Sequence, residues 1–205
     1  MLLKALNDYA DAIFKYTESE TGFLKYPEFK DGTTAEIACS KEYLEKRLGK
    51  PSVETGYPLH SVGFDVNTAN RSDLPEGWAD AAEKLDKDVM KAIGVGFSAL
   101  KMYYPADGYI GWHNNCNCPG QNLLMTYSKG GNGYFEWMHP VTKEIIHMED
   151  KPGWTAKVGY YGDCSEHDKI FWHAARTYEP RITVSYVIRD QSMWEYMVED
   201  IQSFQ

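Results

Sequence analysis

The sequence lacks the features that mark several large classes of protein. It has no apolar run near the roughly 18 residues that a membrane-spanning helix needs. It also has no long basic run, no internal repeat and no low-complexity stretch. Its N-terminus turns polar too early for a secretory signal peptide. We therefore expect a globular protein of the cytoplasm, with no membrane partner.

Positive charge is also scarce. The chain has 21 Lys and Arg residues against 30 Asp and Glu, which gives a formal net charge of -9 and a pI near 5.1. A negative field repels phosphate backbones, so no duplex nucleic acid is expected as a partner. The length of 205 residues is enough to bury a core without disulfides or structural metal.

The pattern of apolar residues divides the chain into a helical part and a strand-rich part. We predict helices over residues 2–17, 41–48, 78–93 and 193–204, with a long connecting loop at 50–77. After Gly96, short apolar runs bounded by turn residues predict about eight strands. These strands are 98–104, 109–113, 122–128, 133–139, 144–148, 154–161, 169–174 and 181–189.

This spacing of strands indicates a sandwich, a barrel or a jelly roll. We expect a mainly β protein with supporting helices, and a single domain over 1–205. Within it, residues 1–97 supply helical support and loops, 98–190 form the β core, and 191–205 form a C-terminal helix.

Two histidines lie where strand patterns meet polar loops. His113 and Asn115 stand two residues apart at one strand end, so their side chains point to the same face. His173 from another strand could complete a facial set around one metal. Two histidines, one oxygen ligand and open positions suit a non-haem Fe(II) that activates O₂.

The stretch 104–113, followed by a distal His173 and by Arg181-x-Thr183, resembles the 2-oxoglutarate and Fe(II)-dependent dioxygenases. The AlkB-type and prolyl-hydroxylase-type branches are the most similar. The resemblance covers residues 98–190 and implies a double-stranded β-helix, which is a jelly roll and agrees with the predicted strands.

The resemblance also implies roles for six residues. His113 and His173 correspond to metal ligands, and Asn115 stands at the position of the acidic ligand. Tyr104 and Arg181 correspond to groups that bind 2-oxoglutarate. Thr183, or with less support Ser185, corresponds to a hydroxyl donor to the same carboxylate.

The sequence departs from the family at three points. Asn115 brings no charge to offset Fe(II), so another carboxylate such as Asp163 or Asp168 could intervene, or the site could be inactive. Met102 stands where AlkB-type enzymes have an asparagine. Only eight residues separate His173 from Arg181, which requires a tight turn. His167 is a rival distal ligand, and Arg176 and Arg189 are rivals of Arg181.

The cysteines have three possible states. Cys116-x-Cys118 directly follows the His113 motif, and Cys164-x-x-His167 lies just before the strand that bears His173. The resemblance implies that these two strand ends are neighbours in the jelly roll. The four side chains could hold a structural zinc ion, although unpaired thiols or a disulfide are also open. Strand alternation places Trp112 and Trp172, which directly precede the two histidines, on the opposite face.

The expected function is that of an oxidoreductase: a dioxygenase that hydroxylates a protein side chain, such as proline, or a small molecule. The acidic surface argues against DNA repair of the AlkB kind. The alternative is a catalytically impaired binding module derived from such an enzyme, which Asn115 favours. Halogenation is a third reading, but those enzymes have Ala or Gly where Asn115 fills the space.

Overall fold

The computed structural model describes residues 2–19, 32–48, 57–63, 78–94 and 98–203. Its helices are α1 (Leu2–Ser19), α2 (Ala35–Ala38), α3 (Lys41–Leu48), α4 (Trp78–Ile93) and α5 (Gln191–Ser203). Its strands are β1 (Leu59–His60), β2 (Val62–Gly63), β3 (Ser98–Tyr104), β4 (Tyr109–His113), β5 (Gly120–Ser128), β6 (Gly133–Met138), β7 (Ile145–Glu149), β8 (Gly153–Tyr161), β9 (Trp172–Thr177) and β10 (Arg181–Ile188).

The ten strands form two five-stranded antiparallel sheets. One sheet has the order β1-β4-β9-β6-β7, and the other has the order β2-β3-β10-β5-β8. Six of the eight neighbouring pairs join strands that are not consecutive in sequence, as in a jelly roll. The predicted fold, mainly β with supporting helices, is confirmed.

Strand β10 lies at the centre of its sheet and is buried along its whole length. Ile182, Val184 and Tyr186 belong to the core under the helices. Arg181 and Thr183, on the other face, line a space between the two sheets. The alternation of side chains along this one strand separates the structural core from the polar interior.

Helices α1 and α4 cover the outer face of this sheet, with Ile13, Leu85 and Val89 in the shared core. A buried polar cluster ties α4 to the sheet. The Lys101 ammonium lies 2.6 Å from one Asp86 oxygen, and the Tyr186 hydroxyl donates to the same carboxylate at 2.9 Å.

The outer face of the other sheet packs against α2 and α3 through Trp112, Trp172 and Leu44. The Trp112 indole donates to the Cys39 carbonyl at 3.0 Å. Both tryptophans therefore point away from the space between the sheets, as strand alternation predicts.

The structure differs from the predicted elements in several places. All eight strands are present, but the segment predicted at 169–174 forms β9 three residues later, because Lys169 is held in a turn by its hydrogen bond to Glu166. Strands β1 and β2 lie inside the predicted loop at 50–77. Each strand has only two residues, which is too short to show a periodic pattern, and each pairs at the edge of a sheet. Helix α2 was also not predicted, α1 extends to Ser19, and α5 begins at Gln191.

The remainder of the predicted loop, residues 50–56 and 64–77, lies outside the described residues, as does residue 204 of the last predicted helix. Among the helices of the described segments, none is long and apolar enough to cross a membrane.

Replacement of Asp86 by alanine should destabilise the fold strongly, because it leaves the Lys101 ammonium buried without its counter-charge. We expect the free energy of unfolding to fall by about 3–5 kcal/mol in urea titrations. Lys84→Ala on the same helix, which removes exposed ion pairs, is the matched control and should cost less than about 1 kcal/mol. Equal losses for the two variants would contradict a structural role for the buried pair.

Candidate functional site

A cavity of about 260 Å³ lies between the two sheets. All six residues singled out in the sequence line it: Tyr104, His113, Asn115, His173, Arg181 and Thr183. They come from strands of both sheets and from the loop that follows β4, although up to 79 positions separate them in sequence. The structure therefore brings the whole predicted set together.

The two histidines face each other across paired strands. His113 and His173 are register partners in β4 and β9, and their ring centroids are 4.1 Å apart. Each Nδ1 lies at hydrogen-bonding distance from a carbonyl oxygen, that of Gly111 at 2.8 Å and that of Phe171 at 3.1 Å. Because a carbonyl only accepts, Nδ1 carries the proton in both rings. Each neutral ring then keeps its Nε2 lone pair for a metal or another donor.

Burial favours the neutral form of both rings. Desolvation lowers the pKa of His113 to about 4, and it lowers the pKa of His173 well below the ordinary value, helped by the neighbouring His113. Tyr57 stacks on the His113 ring at 4.2 Å and closes the cavity on that side. Both imidazoles are therefore uncharged at neutral pH.

Asn115 is the third polar group at this end of the cavity, in the loop directly after β4. Asp163 and Asp168, the carboxylates considered as its replacement, are not among the described residues that line the cavity. Asp163 accepts hydrogen bonds from the Ser165 amide and hydroxyl at 2.8 and 2.6 Å. Within the described segments, neither Asp163 nor Asp168 forms a cluster with the histidines, and no group of three His, Cys, Asp or Glu residues that could hold a metal is found. His167, the rival distal ligand, is not among the cavity-lining residues.

Arg181 is fully buried at the other end of the cavity. Its Nε lies 3.1 Å from one Asp150 oxygen and its Nη2 lies 3.3 Å from the other. Asp150 therefore occupies one edge of the guanidinium, while Nη1 has no hydrogen-bond partner among the described residues. The rival arginines do not line the cavity: Arg176 pairs with Glu36, and Arg189 contacts the Cys118 sulfur.

Two more groups complete the polar end of the cavity. Desolvation raises the pKa of the buried Tyr104 phenol to about 12, so it remains protonated and able to donate. The Thr183 hydroxyl is buried and has no partner among the described residues. Ser185, the weaker candidate, already donates to the Asn122 side chain at 3.0 Å. Met102 packs in the apolar cluster beside Tyr104 and makes no polar contribution.

Sequence reasoning missed Asp150 and Lys157. The Lys157 ammonium lies 3.6 Å from Asp150, so this carboxylate faces two cations, the buried Arg181 and the partly buried Lys157. Desolvation lowers the pKa of Lys157, although Asp150 opposes this shift. The alternation of side chains along β8 could have indicated Lys157. It lies on the same face of the strand as the cavity-lining Tyr161, whereas the exposed Val158 lies on the opposite face.

The cysteines form a disulfide rather than a zinc site. Cys116 is bonded to Cys164, and the Cys164 amide donates to the Cys116 carbonyl at 3.1 Å. The two strand ends are neighbours, as the zinc hypothesis required, but bonded sulfurs have no thiolate to offer a metal. That hypothesis, with Cys118 and His167 as further ligands, is wrong. Cys118 is a free thiol at the edge of the cavity.

A second cavity of about 490 Å³ adjoins the first and shares four lining residues with it. Five of its thirteen lining residues are aromatic: Phe135, Trp137, Tyr160, Tyr161 and Phe171. It lies near β7 and β8, the edge strands of the two sheets. Phe171 stacks against Trp137 at 5.4 Å and lies 5.3 Å from His173, so aromatic rings extend from the histidines into this second space.

A scan against protein-family models finds no match, and a search of curated proteins finds none either. Solved structures do match. A prolyl hydroxylase from Trichoplax adhaerens, in complex with a hypoxia inducible factor oxygen degradation domain peptide fragment, has a TM-score of 0.52 at 9% identity. The match covers 93% of this chain and 80% of that one. At this identity, the similarity establishes the fold.

Two other matches have lower TM-scores. A Pseudomonas putida prolyl-4-hydroxylase has a TM-score of 0.43 at 14% identity, covering 90% of this chain and 88% of that one. The viral collagen prolyl hydroxylase of Paramecium Bursaria Chlorella virus-1, in its 2OG complex, has a TM-score of 0.33 at 16% identity, covering 82% and 92%.

Removal of the disulfide should destabilise the protein without changing its fold. The bond closes a loop across 48 positions, so Cys116→Ser with Cys164→Ser should lower the free energy of unfolding by about 2–4 kcal/mol. Cys118→Ser, at a free thiol in the same loop, is the control and should change it by less than about 0.5 kcal/mol. Urea unfolding under non-reducing conditions measures both. A double variant as stable as the parent would contradict the prediction.

Proposed function

We propose that the protein is an Fe(II)- and 2-oxoglutarate-dependent dioxygenase, an oxidoreductase that hydroxylates a protein side chain or a small molecule. The observation that carries this proposal is one cavity with two different ends. The neutral rings of His113 and His173 carry their lone pairs on Nε2 at one end, and Arg181 has an Nη1 without a hydrogen-bond partner among the described residues at the other. A metal ion needs nitrogen lone pairs such as those of the two histidines. The distal carboxylate of 2-oxoglutarate needs a cationic N–H donor such as the guanidinium of Arg181.

The residues at the histidine end fit a ferrous ion. The Nε2 atoms of His113 and His173 and the side-chain oxygen of Asn115 would hold it, with the Nδ1 hydrogen bonds fixing both rings. When bound, iron supplies the activation of O₂, coupled to oxidative decarboxylation of 2-oxoglutarate to succinate and CO₂. The protein positions the reactants and limits access of water through the buried walls.

The residues at the arginine end fit the distal carboxylate of 2-oxoglutarate. Arg181 presents Nη1, and Thr183 and Tyr104 add hydroxyl donors on adjacent strands. Asp150 holds the opposite edge of the guanidinium and so fixes the direction of Nη1. Arg181 and Lys157 together exceed Asp150 by one positive charge, which one carboxylate would neutralise.

The second cavity supports an apolar group as the part of the substrate that reacts. Its aromatic walls adjoin the histidine end, and such walls suit a flat or cyclic apolar group such as a prolyl ring. The Trichoplax structure with a similar fold is a prolyl hydroxylase with a bound peptide, which favours a protein substrate here. A small molecule is the other candidate substrate.

A catalytically impaired binding module is the alternative function, and Asn115 is the observation that favours it. Without a carboxylate ligand the iron would be held weakly, and a cavity of this kind could serve only to bind a dicarboxylate. The two functions differ in turnover, which can be measured without knowledge of the substrate.

Turnover of 2-oxoglutarate in the absence of substrate tests the proposal. Incubation with Fe(II), 2-oxoglutarate and O₂ should release succinate, and His113→Ala should reduce the rate at least about 100-fold because it removes a metal ligand. His147→Ala is the matched control and should retain the rate. His147 is an exposed histidine on the edge strand β7, where it pairs with Glu136 of β6. Absence of succinate from the parent protein and from an Asn115→Asp variant would favour the binding module.

The choice of arginine can be tested by binding alone. Arg181→Ala should weaken 2-oxoglutarate binding about 30-fold or more, because loss of a buried charged partner costs about 2 kcal/mol or more. Arg189→Ala, near the cavity but not lining it, should change affinity less than about threefold. Calorimetric titration measures both, and circular dichroism checks that each variant is folded. Equal small effects would show that Arg181 does not bind the carboxylate.

We also propose that residues 1–205 act as one domain, since α1 and α4 share a core with the β10 sheet. The cytoplasmic location expected from the sequence stays a prediction.

A further inference from the structure

The outer edges of the two sheets differ greatly in length. Strands β1 and β2 form two of these edges with two residues each, and β7 forms the third with five. Strand β8 forms the fourth edge with nine residues, and its register with β5 runs from Gly153 to Tyr161 without a shift. Within the described segments, β8 pairs with β5 and with no other strand. Every second residue of β8 therefore directs its N–H and C=O groups away from the sheet.

Folded proteins usually protect a long strand edge with charged side chains, proline or a bulge. Strand β7 follows this rule, since Glu149 is exposed on it. Strand β8 has no proline and no bulge. Its only charged residue is Lys157, whose charge is met inside the protein by Asp150 at 3.6 Å. Val158 and Tyr160 are 60% and 40% exposed on it, so β8 is an open template for a further strand.

The second cavity runs along this open edge. Six consecutive residues of β8, 156–161, line it. Because side chains alternate between the two faces of a strand, a cavity lined by every residue in turn borders the backbone edge itself. The facing wall comes from β6, β7 and the turn between them, through Trp137, Met148 and Pro140. The cavity is therefore a groove between the two sheets, with an open strand edge on one side.

The chemistry of the groove favours an extended, uncharged polypeptide segment. The main chain of an added strand, about 4.8 Å from β8, would bond the N–H and C=O groups that β5 leaves unpaired. Apart from Lys157, no charged residue of the described chain lines the groove. Phe135, Trp137 and Phe171 supply aromatic rings to its inner wall. Since every second side chain of the segment would face this wall, those residues must be apolar.

A second copy of this chain is a less suitable occupant of the edge. Each copy has a formal net charge of -9, so two copies repel each other. The groove also has a far wall, which Pro140 and Met148 help to form, and encloses about 490 Å³. This shape suits one extended segment better than the edge of a second folded domain.

The groove leads directly to the candidate site. It shares Asn122, Leu124, Phe135 and Tyr161 with the first cavity. Tyr161 is the last residue of β8, and its ring centroid lies 5.1 Å from that of His173. One end of a segment paired with β8 would therefore lie beside the polar cavity.

We infer that the open edge of β8 binds an extended segment of another protein by strand addition, with apolar residues at alternate positions of the segment facing the groove. Main-chain hydrogen bonds to β8 supply affinity, and the aromatic wall selects the alternate side chains. The inference goes beyond the proposed function and does not depend on it, because strand addition needs neither a metal nor 2-oxoglutarate.

Selection from a phage-displayed library of random nine-residue peptides, the length of β8, tests the inference in the presence of a metal chelator. The library is selected on the parent protein and counter-selected on Gly159→Leu. Gly159 lines the groove, and a Cβ there would have only Phe171 Cζ nearby, at 4.0 Å, so a leucine fills the groove without displacing the backbone. Gly63→Leu, on β2 at the opposite edge of the same sheet, is the matched control, with Met102 Sδ at 3.8 Å.

We expect the enriched peptides to have apolar residues at alternate positions. The affinity of synthetic copies, measured by fluorescence polarisation, should fall at least about tenfold for Gly159→Leu, because the buried contacts of an apolar side chain are lost. It should change less than about twofold for Gly63→Leu. Circular dichroism checks that both variants are folded.

Methylation of the peptide amide nitrogens separates strand addition from simple apolar binding. In an added strand, alternate N–H groups face β8 and the others face away. Methylation of one alternate set should weaken binding to the parent protein at least about tenfold, and methylation of the other set less than about threefold. This measurement uses the parent protein alone, so it decides the question even if Gly159→Leu does not fold.

Three results would overturn the inference. The first is a library with no peptide enriched on the parent protein over Gly159→Leu. The second is an equal effect of the two methylated sets, which would indicate an apolar pocket without strand addition. The third is a dimer in analytical ultracentrifugation that Gly159→Leu abolishes, which would assign the edge to a second copy. None of them bears on the succinate release that tests the proposed function.

Discussion

The complete burial of strand β10 is the constraint on which the rest of the structure depends. One face of the strand must be apolar because α1 and α4 pack against it, and Ile182 and Val184 meet this need. The other face is buried too, but it faces a cavity and can carry polar groups only if they are satisfied. Asp150 pairs with one edge of the Arg181 guanidinium, and Nη1 has no hydrogen-bond partner among the described residues.

The fold was largely predictable because strand periodicity and turn residues are local signals. All eight long strands were found, and the bounds of β3, β4 and α4 agree with the structure. Strands β1 and β2 were missed because two residues cannot show a period, and because their pairing depends on distant edge strands. The shift of β9 arose from a turn whose hydrogen bonds involve Glu166 and Lys169.

The candidate site was predictable only in part. The resemblance to a known family indicated His113, His173 and Arg181, and the structure brings them to one cavity. Asp150 and Lys157 were missed because their roles depend on contacts between strands that no short motif records. The disulfide between Cys116 and Cys164 was not predictable either, because it depends on how two loops distant in sequence meet in the folded protein.

We propose that the cavity between the sheets binds a metal and an anion, within a fold similar to that of a prolyl hydroxylase. Anomalous diffraction from crystals grown with Mn²⁺ and 2-oxoglutarate is the most direct test. The account predicts one anomalous peak bonded to the Nε2 atoms of His113 and His173, with a carboxylate of the dicarboxylate on Nη1 of Arg181. A dicarboxylate bound away from Arg181, or a metal peak away from both histidines, would contradict it.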